Sequence, residues 1–174
     1  MKKATISLAT IAIILFVHQA IVQAGVIASA FPEKKNVVSG QEIVVPVSID
    51  MSGTSELLGS FTGNLTWDPS ILKYVEHSAL ADFGFSTPMV NNQQVGQGKL
   101  LFAAANPRGA SGKVKILDVK FRVVGRPGSR IVMNLHFSAM AAARTFKDLL
   151  PVLKLKTPDK SHLFIIKKDK SRKK

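Results

Sequence analysis

The segment that constrains the fold most is residues 57–72, where the character of the side chains alternates before a turn follows. Every second residue is apolar or glycine, and the residues between them carry hydroxyl or amide groups. The first set is Phe61, Gly63, Leu65 and Trp67, and the second set is Ser60, Thr62, Asn64 and Thr66. Alternation with a period of two predicts a β-strand that buries one face and exposes the other. Asp68 and Pro69 favour turn geometry, so we expect the strand to end there.

The rest of the chain consists of further short segments of strand character, separated by turns rich in glycine and proline. We expect these strands at residues 26–31, 42–50, 72–76, 85–91, 99–106, 114–124, 129–137 and 151–156. No long helical period occurs after the first 24 residues. About nine short strands bury their apolar faces best as two packed sheets, so we predict a single all-β sandwich domain.

A proline, a phase shift and two loop-like segments refine the expected strands. Pro46 cannot donate a ladder hydrogen bond, so its strand is expected to lie at a sheet edge or to carry a bulge. The apolar phase shifts near Leu117 and Asp118, which predicts a bulge there. We expect a loop at residues 107–112. The small residues at 139–143 leave the assignment open, with a helical turn as one alternative.

Residues 99–106 are apolar on both faces of the expected strand. One face carries Leu100, Phe102 and Ala104, and the other carries Leu101, Ala103 and Ala105. Two interpretations stay open. The strand is either central and covered on both sides, or its second face is exposed for contact with a partner.

The N-terminal end differs from the middle of the chain. Residues 1–24 begin with a pair of lysines, continue with an apolar run at 4–17 and end in a small-residue cleavage pattern. This is typical of a secretory signal peptide and predicts that the protein is secreted or held at the cell surface. We expect cleavage after Ala24, with cleavage after Ala30 and an uncleaved anchor as alternatives.

Much of the net charge of +13 lies near the C-terminus. Residues 160–174 contain seven Lys or Arg and one Asp, a net charge of +6. We expect residues 159–174 to form a disordered basic tail that weakly contacts anionic cell-surface polymer, and residues 25–158 to form the domain. The tail contains one aromatic residue, which does not suit stacking on nucleic acid bases, so no specific nucleic acid partner is expected.

The composition excludes several kinds of site. The chain has no cysteine, which excludes disulfides, cysteine catalysis and thiolate metal sites. The eleven acidic residues are scattered, and none are paired in the way that a glycosidase requires. The histidines lack metal-ligand spacing. We therefore expect a protein without catalytic activity, cofactor or metal site.

Several motifs occur in a characteristic order. The run V-V-S-G-Q-E-I-V-V-P-V-S-I is followed by L-L-G-S-F-T-G-N-L-T-W-D-P-S-I-L, and then by G-K-L-L-F-A-A-A-N, R-G-A-S-G and V-K-I-L-D-V-K-F-R-V-V-G. Over about residues 26–156 this order resembles that of the cohesin domain family, with Trp67 where cohesins usually have tyrosine. The resemblance implies a jelly-roll sandwich of about nine strands that binds dockerins, which are small calcium-loaded modules on secreted enzymes.

The resemblance also implies a partner-binding face on one sheet, no active site, and calcium carried by the partner. Carried over by position, the contact residues are Ser60, Thr62, Asn64, Leu101, Ala103, Ala105 and Asn106, with Arg108 at the rim. An apolar centre with a hydrogen-bonding rim is the usual anatomy of a protein interface. A loop that covers this face within the monomer is the alternative.

Two other functional classes stay open. A carbohydrate-binding module shares the sandwich fold and the export signal, but it needs exposed aromatic rings. Trp67 and Tyr74 both fall in the inward phase. A structural cell-surface assembly domain would pair through sheet edges, which Pro46 and Pro88 oppose.

Overall fold

The computed structural model describes residues 25–32, 34–79, 85, 87–158 and 164–167. These residues form eleven β-strands and two short 3₁₀ turns. The strands are β1 Val26–Ala30, β2 Asn36–Val38, β3 Glu42–Asp50, β4 Leu58–Trp67, β5 Leu72–Ala79, β6 Met89–Asn91, β7 Lys99–Ala110, β8 Lys113–Val123, β9 Met133–Ala142, β10 Leu153–Lys156 and β11 Phe164–Ile166. The predicted all-β class is confirmed, and β2 and β11 are additional to the nine strands expected.

The strands form two main sheets and one two-stranded ribbon. The five-stranded sheet has the order β10-β1-β3-β8-β5, and the four-stranded sheet has the order β6-β7-β4-β9. In the larger sheet β1 pairs in parallel with β10, so Val26 lies opposite Leu153, while the other neighbours are antiparallel. The ribbon pairs β2 with β11. Because β4 pairs with both β7 and β9, it holds the middle of its sheet together.

Apolar side chains from the inner faces of the two sheets form one core. In β4 the inner residues Phe61, Leu65 and Trp67 are at most 6% exposed, as the alternation predicts. Phe61 lies edge-on to Phe102 of β7 and Phe137 of β9, with ring centroids 6.3 and 6.2 Å apart. Edge-to-face contacts at these distances are favourable in addition to the buried area.

Gly63 provides the space for this aromatic cluster. A Cβ atom at this position would lie 2.9 Å from Cδ1 of Phe137 and 3.0 Å from Cε2 of Phe102. It would also lie 2.8 Å from the backbone oxygen of His136. Any larger residue would therefore separate the rings or the strands, so close packing requires glycine here.

Trp67 connects the two sheets. It belongs to β4, and its ring centroid lies 4.8 Å from that of Phe121 on β8 in a T-shaped arrangement. Both side chains are buried. The indole Nε1 is also buried and has no hydrogen-bond partner among the described residues. The indole therefore stabilises the sandwich through its apolar area and ring contact.

The position of β3 corrects one sequence-based prediction. The edge position considered for the strand that contains Pro46 is wrong, because β3 lies between β1 and β8. A bulge does lie beside Pro46, but on the neighbouring strand β8 and not on the strand that contains the proline. The register shifts between Val47 and Ser48, and Ile116 is the extra residue on β8. Ile116 and Leu117 are consecutive and both buried, which is the predicted phase shift.

Strand β7 is longer than the sequence predicts, and β9 is displaced along the chain, because it begins at Met133 and not at Ser129. Most of the loop expected at residues 107–112 belongs to β7, which continues to Ala110. The helical turn considered at residues 139–143 does not form, because β9 continues to Ala142 and pairs Met140 with Phe61. Alanine favours helices, but pairing with a buried strand outweighs that preference.

The C-terminal segment contains an ordered strand within the tail that was expected to be disordered. Ile165 of β11 is 1% exposed. Its N–H donates to the oxygen of Ser129 at 3.1 Å, and its oxygen accepts from the N–H of Gly128 at 2.8 Å. The predicted signal peptide lies outside the described residues. So does the rest of the predicted tail, apart from β11 and Lys167.

We expect Trp67→Ala to lower the free energy of unfolding by about 3–5 kcal/mol, because it empties a large aromatic site. Trp67→Phe keeps a ring beside Phe121 and removes the unpaired Nε1. We therefore expect this variant to lose less than about 2 kcal/mol of the free energy of unfolding. Urea denaturation followed by circular dichroism measures both variants. Equal losses would contradict the role of the ring contact.

Acid should weaken the turn after β4. The N–H and hydroxyl of Ser70 donate to Oδ1 of Asp68 at 2.8 and 2.6 Å, and they hold the pKa of Asp68 below its ordinary value of 3.8. A carboxylate with a lowered folded-state pKa stabilises the fold above its unfolded pKa, and that stability is lost as pH falls through the folded pKa. We expect Asp68→Asn to reduce the difference in urea midpoint between pH 6 and pH 3. An unchanged difference would contradict this.

Candidate functional site

The outward side of the four-stranded sheet, here termed the β4 face, is the candidate site. Thr62 of β4 lies between Ala103 of β7 and Ala139 of β9. Met89 of β6 lies on the far side of Ala103. Side chains directly opposite one another on a sheet face are close enough to touch. This row therefore crosses all four strands as one continuous surface.

Two further rows run beside the central one. One row contains Leu101, Asn64 and His136, and the other contains Ala105, Ser60 and Ala141. Together the three rows include six of the eight residues predicted from the sequence, namely Ser60, Thr62, Asn64, Leu101, Ala103 and Ala105. Thr62 and Ala105 are exposed and the other four are half-buried. At these positions the described chain does not cover the face, which favours the exposed-face interpretation of residues 99–106.

Asn106 lies outside this surface, and its predicted place among the contact residues is wrong. It is only 4% exposed, and its Oδ1 accepts a hydrogen bond from the N–H of Arg108 at 3.0 Å. The pairing of β4 with β7 is regular up to Ala105 and resumes at Ala110. The irregular stretch between them breaks the period of two, so counting outward positions fails after Ala105.

Arg108, the residue predicted for the rim of the β4 face, is exposed near the end of β7. The neighbouring Gly109 has a φ of 77° and packs closely at this end of the sheet. A Cβ atom on Gly109 would lie 2.6 Å from Cβ of Leu57 and 2.7 Å from Cβ of Ala143. The rim is thus formed where the end of β7, the start of β4 and the end of β9 meet.

Sequence reasoning missed the residues that β9 and β6 add to the face. His136 and Ala139 of β9 and Met89 of β6 are exposed. The alternation of Leu135 and Phe137 in the sequence already placed His136 in the outward phase. The pairing of β9 with β4, which brings His136 beside Asn64, could not be deduced from that alternation alone.

The two outer surfaces of the sandwich differ in charge. None of the four strands of the β4 face contains Asp or Glu. On the five-stranded sheet, three ion pairs form among the described residues. They join Lys115 to Asp118, Lys120 to Glu76 and Arg122 to Glu42. The five-stranded sheet therefore presents charged groups to water, and the β4 face presents small, mainly neutral side chains.

Two of these ion pairs shift the pKa of one member each. The hydrogen bond from Arg122 to Glu42, at 2.8 Å, lowers the pKa of the Glu42 carboxyl. The hydrogen bond to Glu76 raises the pKa of Lys120. Covering this sheet would therefore require the desolvation of several charged groups.

The described residues do not form a metal site, and Trp67 and Tyr74 do not form a sugar-binding platform. They contain no group of three His, Asp or Glu side chains that could hold a metal ion. Trp67 is buried and Tyr74 is half-buried, with its hydroxyl 2.6 Å from Nδ1 of His77. Neither ring offers the open flat surface on which a sugar stacks.

The arrangement of strands is shared with solved structures. The chain is similar to the seventh ScaB type I cohesin of Pseudobacteroides cellulosolvens, with a TM-score of 0.66 and 12% identity over 86% of this chain and 97% of that one. The chain has a cohesin fold. A non-cellulosomal cohesin from Archaeoglobus fulgidus is similar with a TM-score of 0.57 and 20% identity, over 77% of this chain and 86% of that one.

A third cohesin was solved in a complex. The sixth cohesin of scaffoldin B from Acetivibrio cellulolyticus, bound to a variant Cel5 dockerin, matches with a TM-score of 0.59 and 18% identity, over 78% of this chain and 99% of that one. No protein-family model and no curated protein matches the sequence. The predicted cohesin resemblance, with its jelly-roll sandwich, is thus confirmed as a fold. In the described part of this cohesin-like chain, no helix is long and apolar enough to cross a membrane.

We expect Gly109→Ala to lower the free energy of unfolding by about 2–4 kcal/mol, because it combines an unfavourable φ with overlap against Leu57 and Ala143. Gly128→Ala is the matched control. Gly128 also has a positive φ, of 90°, but no atom would lie within 4 Å of an added Cβ. Gly128→Ala should lower the free energy of unfolding by about 1–2 kcal/mol, because only the unfavourable φ contributes. Equal losses in urea denaturation would contradict the close packing at the rim.

Proposed function

We propose that this protein is an exported, non-catalytic module that binds a dockerin-type protein through the β4 face. The observation that carries the proposal is the contrast between the two outer surfaces of the sandwich. One surface holds three ion pairs among the described residues, and the strands of the other contain no acidic residue.

The chemistry of the β4 face suits a protein partner. Apolar Leu101, Ala103 and Ala105 lie beside Ser60 and Thr62, so apolar contact area is combined with short hydrogen-bonding groups. Small neutral side chains lose little hydration when they are covered, and they lose little conformational entropy. A flat partner surface can therefore be accommodated without burying an unpaired charge.

A dockerin-type partner is supported by the cohesin fold together with the location of the face. The dockerin complex of the Acetivibrio cellulolyticus cohesin gives the precedent for this kind of partner. We assign the calcium to the partner, in keeping with the nature of dockerins. Export by residues 1–24, and weak contact of the basic tail with anionic cell-surface polymer, stay predictions from the sequence.

We expect Thr62→Arg to weaken partner binding by about 100-fold or more, because it places an unpaired charge in the middle of the interface. Folding should be unaffected, since Thr62 is exposed. The control is Ser78→Arg, which makes the same kind of change at an exposed position of β5 on the other sheet. Calorimetric titration with the purified partner measures both. Normal binding by Thr62→Arg would show that the face is wrongly assigned.

The partner is identified by capture from the secreted fraction of the source organism. The immobilised chain is incubated with and without a calcium chelator, and bound proteins are identified by mass spectrometry. The proposal predicts a secreted protein that carries a duplicated calcium-binding loop and is lost with the chelator. Binding to insoluble polysaccharide without any protein partner would refute it.

A further inference from the structure

The connection between β9 and β10 carries an unusual exposed aromatic residue. Phe146 is 82% exposed. Its φ is 55°, in the left-handed region, and it is the one non-glycine residue with positive φ among those described. Glycine or asparagine normally occupies such a position in a turn, because other side chains are strained there. Both the exposed ring and the strained backbone are unfavourable for the isolated domain.

Hydrogen bonds hold this strained turn in place. The N–H of Ala142 donates to the oxygen of Lys147 at 3.0 Å, and Ala141 bridges to Asp148. The hydroxyl of Thr145 donates to Oε2 of Glu56 at 2.8 Å, which ties the turn to the segment that leads into β4. Phe146 is therefore displayed at the tip of a defined hairpin.

Three basic residues lie at the same end of the sheet as Phe146. Arg144 and Lys147 flank it in the sequence, and both are exposed. Exposed Arg108 precedes Gly109, which packs against Ala143 at the base of the same hairpin. None of these three cations belongs to an ion pair among the described residues. We name Arg108, Arg144, Phe146 and Lys147 the basic tip.

The basic tip is continuous with the β4 face. Ala141, where the hairpin begins, lies opposite Ser60 in one of the rows of that face. A partner that covers the row of Ser60 therefore extends towards the tip without a gap.

We propose that Phe146 inserts into an apolar pocket on the bound protein partner, and that the pocket is bordered by acidic side chains that face the basic tip. This inference rests on the proposed function and states which chemistry the partner must have. The exposed ring calls for an apolar group, and the three cations, which form no ion pair among the described residues, call for acidic ones. A large aromatic anchor beside arginine is also the residue combination that contributes most to protein interfaces.

A membrane surface or a sugar fits the chemistry of the basic tip less well than a protein partner does. A single ring with a few cations gives only marginal attachment to an anionic bilayer, where stable binding needs a larger apolar area. A sugar would stack on the flat side of the ring without need of three cations. Continuity with the β4 face favours a protein.

The first test is Phe146→Gly, which removes the ring and relieves the backbone. We expect its thermal unfolding midpoint to equal or exceed that of the wild type, while the affinity for the partner identified by capture falls by about 10-fold or more. Leu155→Gly removes a 46% exposed apolar side chain from β10 and is the control, with unchanged affinity. The double variant Arg144→Glu/Lys147→Glu should weaken binding more at 50 mM than at 500 mM salt.

The second test is photo-crosslinking with benzoylphenylalanine at positions 146, 62 and 155 in the same secreted fraction. We expect positions 146 and 62 to label one protein, at separate peptides, with acidic residues near the site labelled from 146. Position 155 should not label it.

The outcomes separate the two proposals. Loss of binding in Thr62→Arg with normal affinity in Phe146→Gly overturns this inference alone. Crosslinking from 146 to a different protein, or binding that depends on Phe146 to vesicles with one-third phosphatidylserine or to cellulose, overturns it as well. Capture of no protein by the wild type refutes the proposed function and this inference together.

Discussion

The sandwich depends on side-chain packing between two sheets that share no disulfide, since the chain has no cysteine. The contact between Trp67 and Phe121 joins a strand of one sheet to a strand of the other across the core. The cluster of Phe61, Phe102 and Phe137 then fixes the neighbouring strands around β4. Strand β4 is held in place by its inner side chains and by two flanking strands. Its outer side chains are therefore not needed to form the core. That separation leaves short residues such as Thr62 available for contact with another molecule.

The sequence predicted most of what depends on alternation. The inner and outer residues of β4 follow from a strict period of two, and the bulge at Ile116 follows from a break in that period. Six of the eight candidate contact residues that the cohesin resemblance implies lie at outward positions of this pattern. Asn106 was misplaced because the irregular pairing after Ala105 changes which residues face outwards. Pro46 was expected at an edge because its missing N–H is a local property, whereas its neighbours are set by the topology. The share of β9 in the face required knowledge of which strands lie side by side, which a single sequence does not contain.

The distribution of charge distinguishes the two outer surfaces of the sandwich. Ion pairs such as that of Arg122 with Glu42 keep the five-stranded sheet hydrated, while the β4 face has few charges to desolvate. The basic tip adds cations only at one end of that face. An interface built in this way places its charged groups at the periphery, where water still screens them, and its neutral groups at the centre.

The parallel pairing of β1 with β10 has a consequence for folding. Val26 and Leu153 are neighbours in the sheet although they lie near opposite ends of the domain sequence. Non-local pairing slows folding, because a long loop must close before the contact forms. Until the chain is available as far as Lys156, the edge of β1 stays open and can pair with other strands. The domain is therefore completed late in synthesis, and the open edge of β1 is available for pairing until β10 has formed.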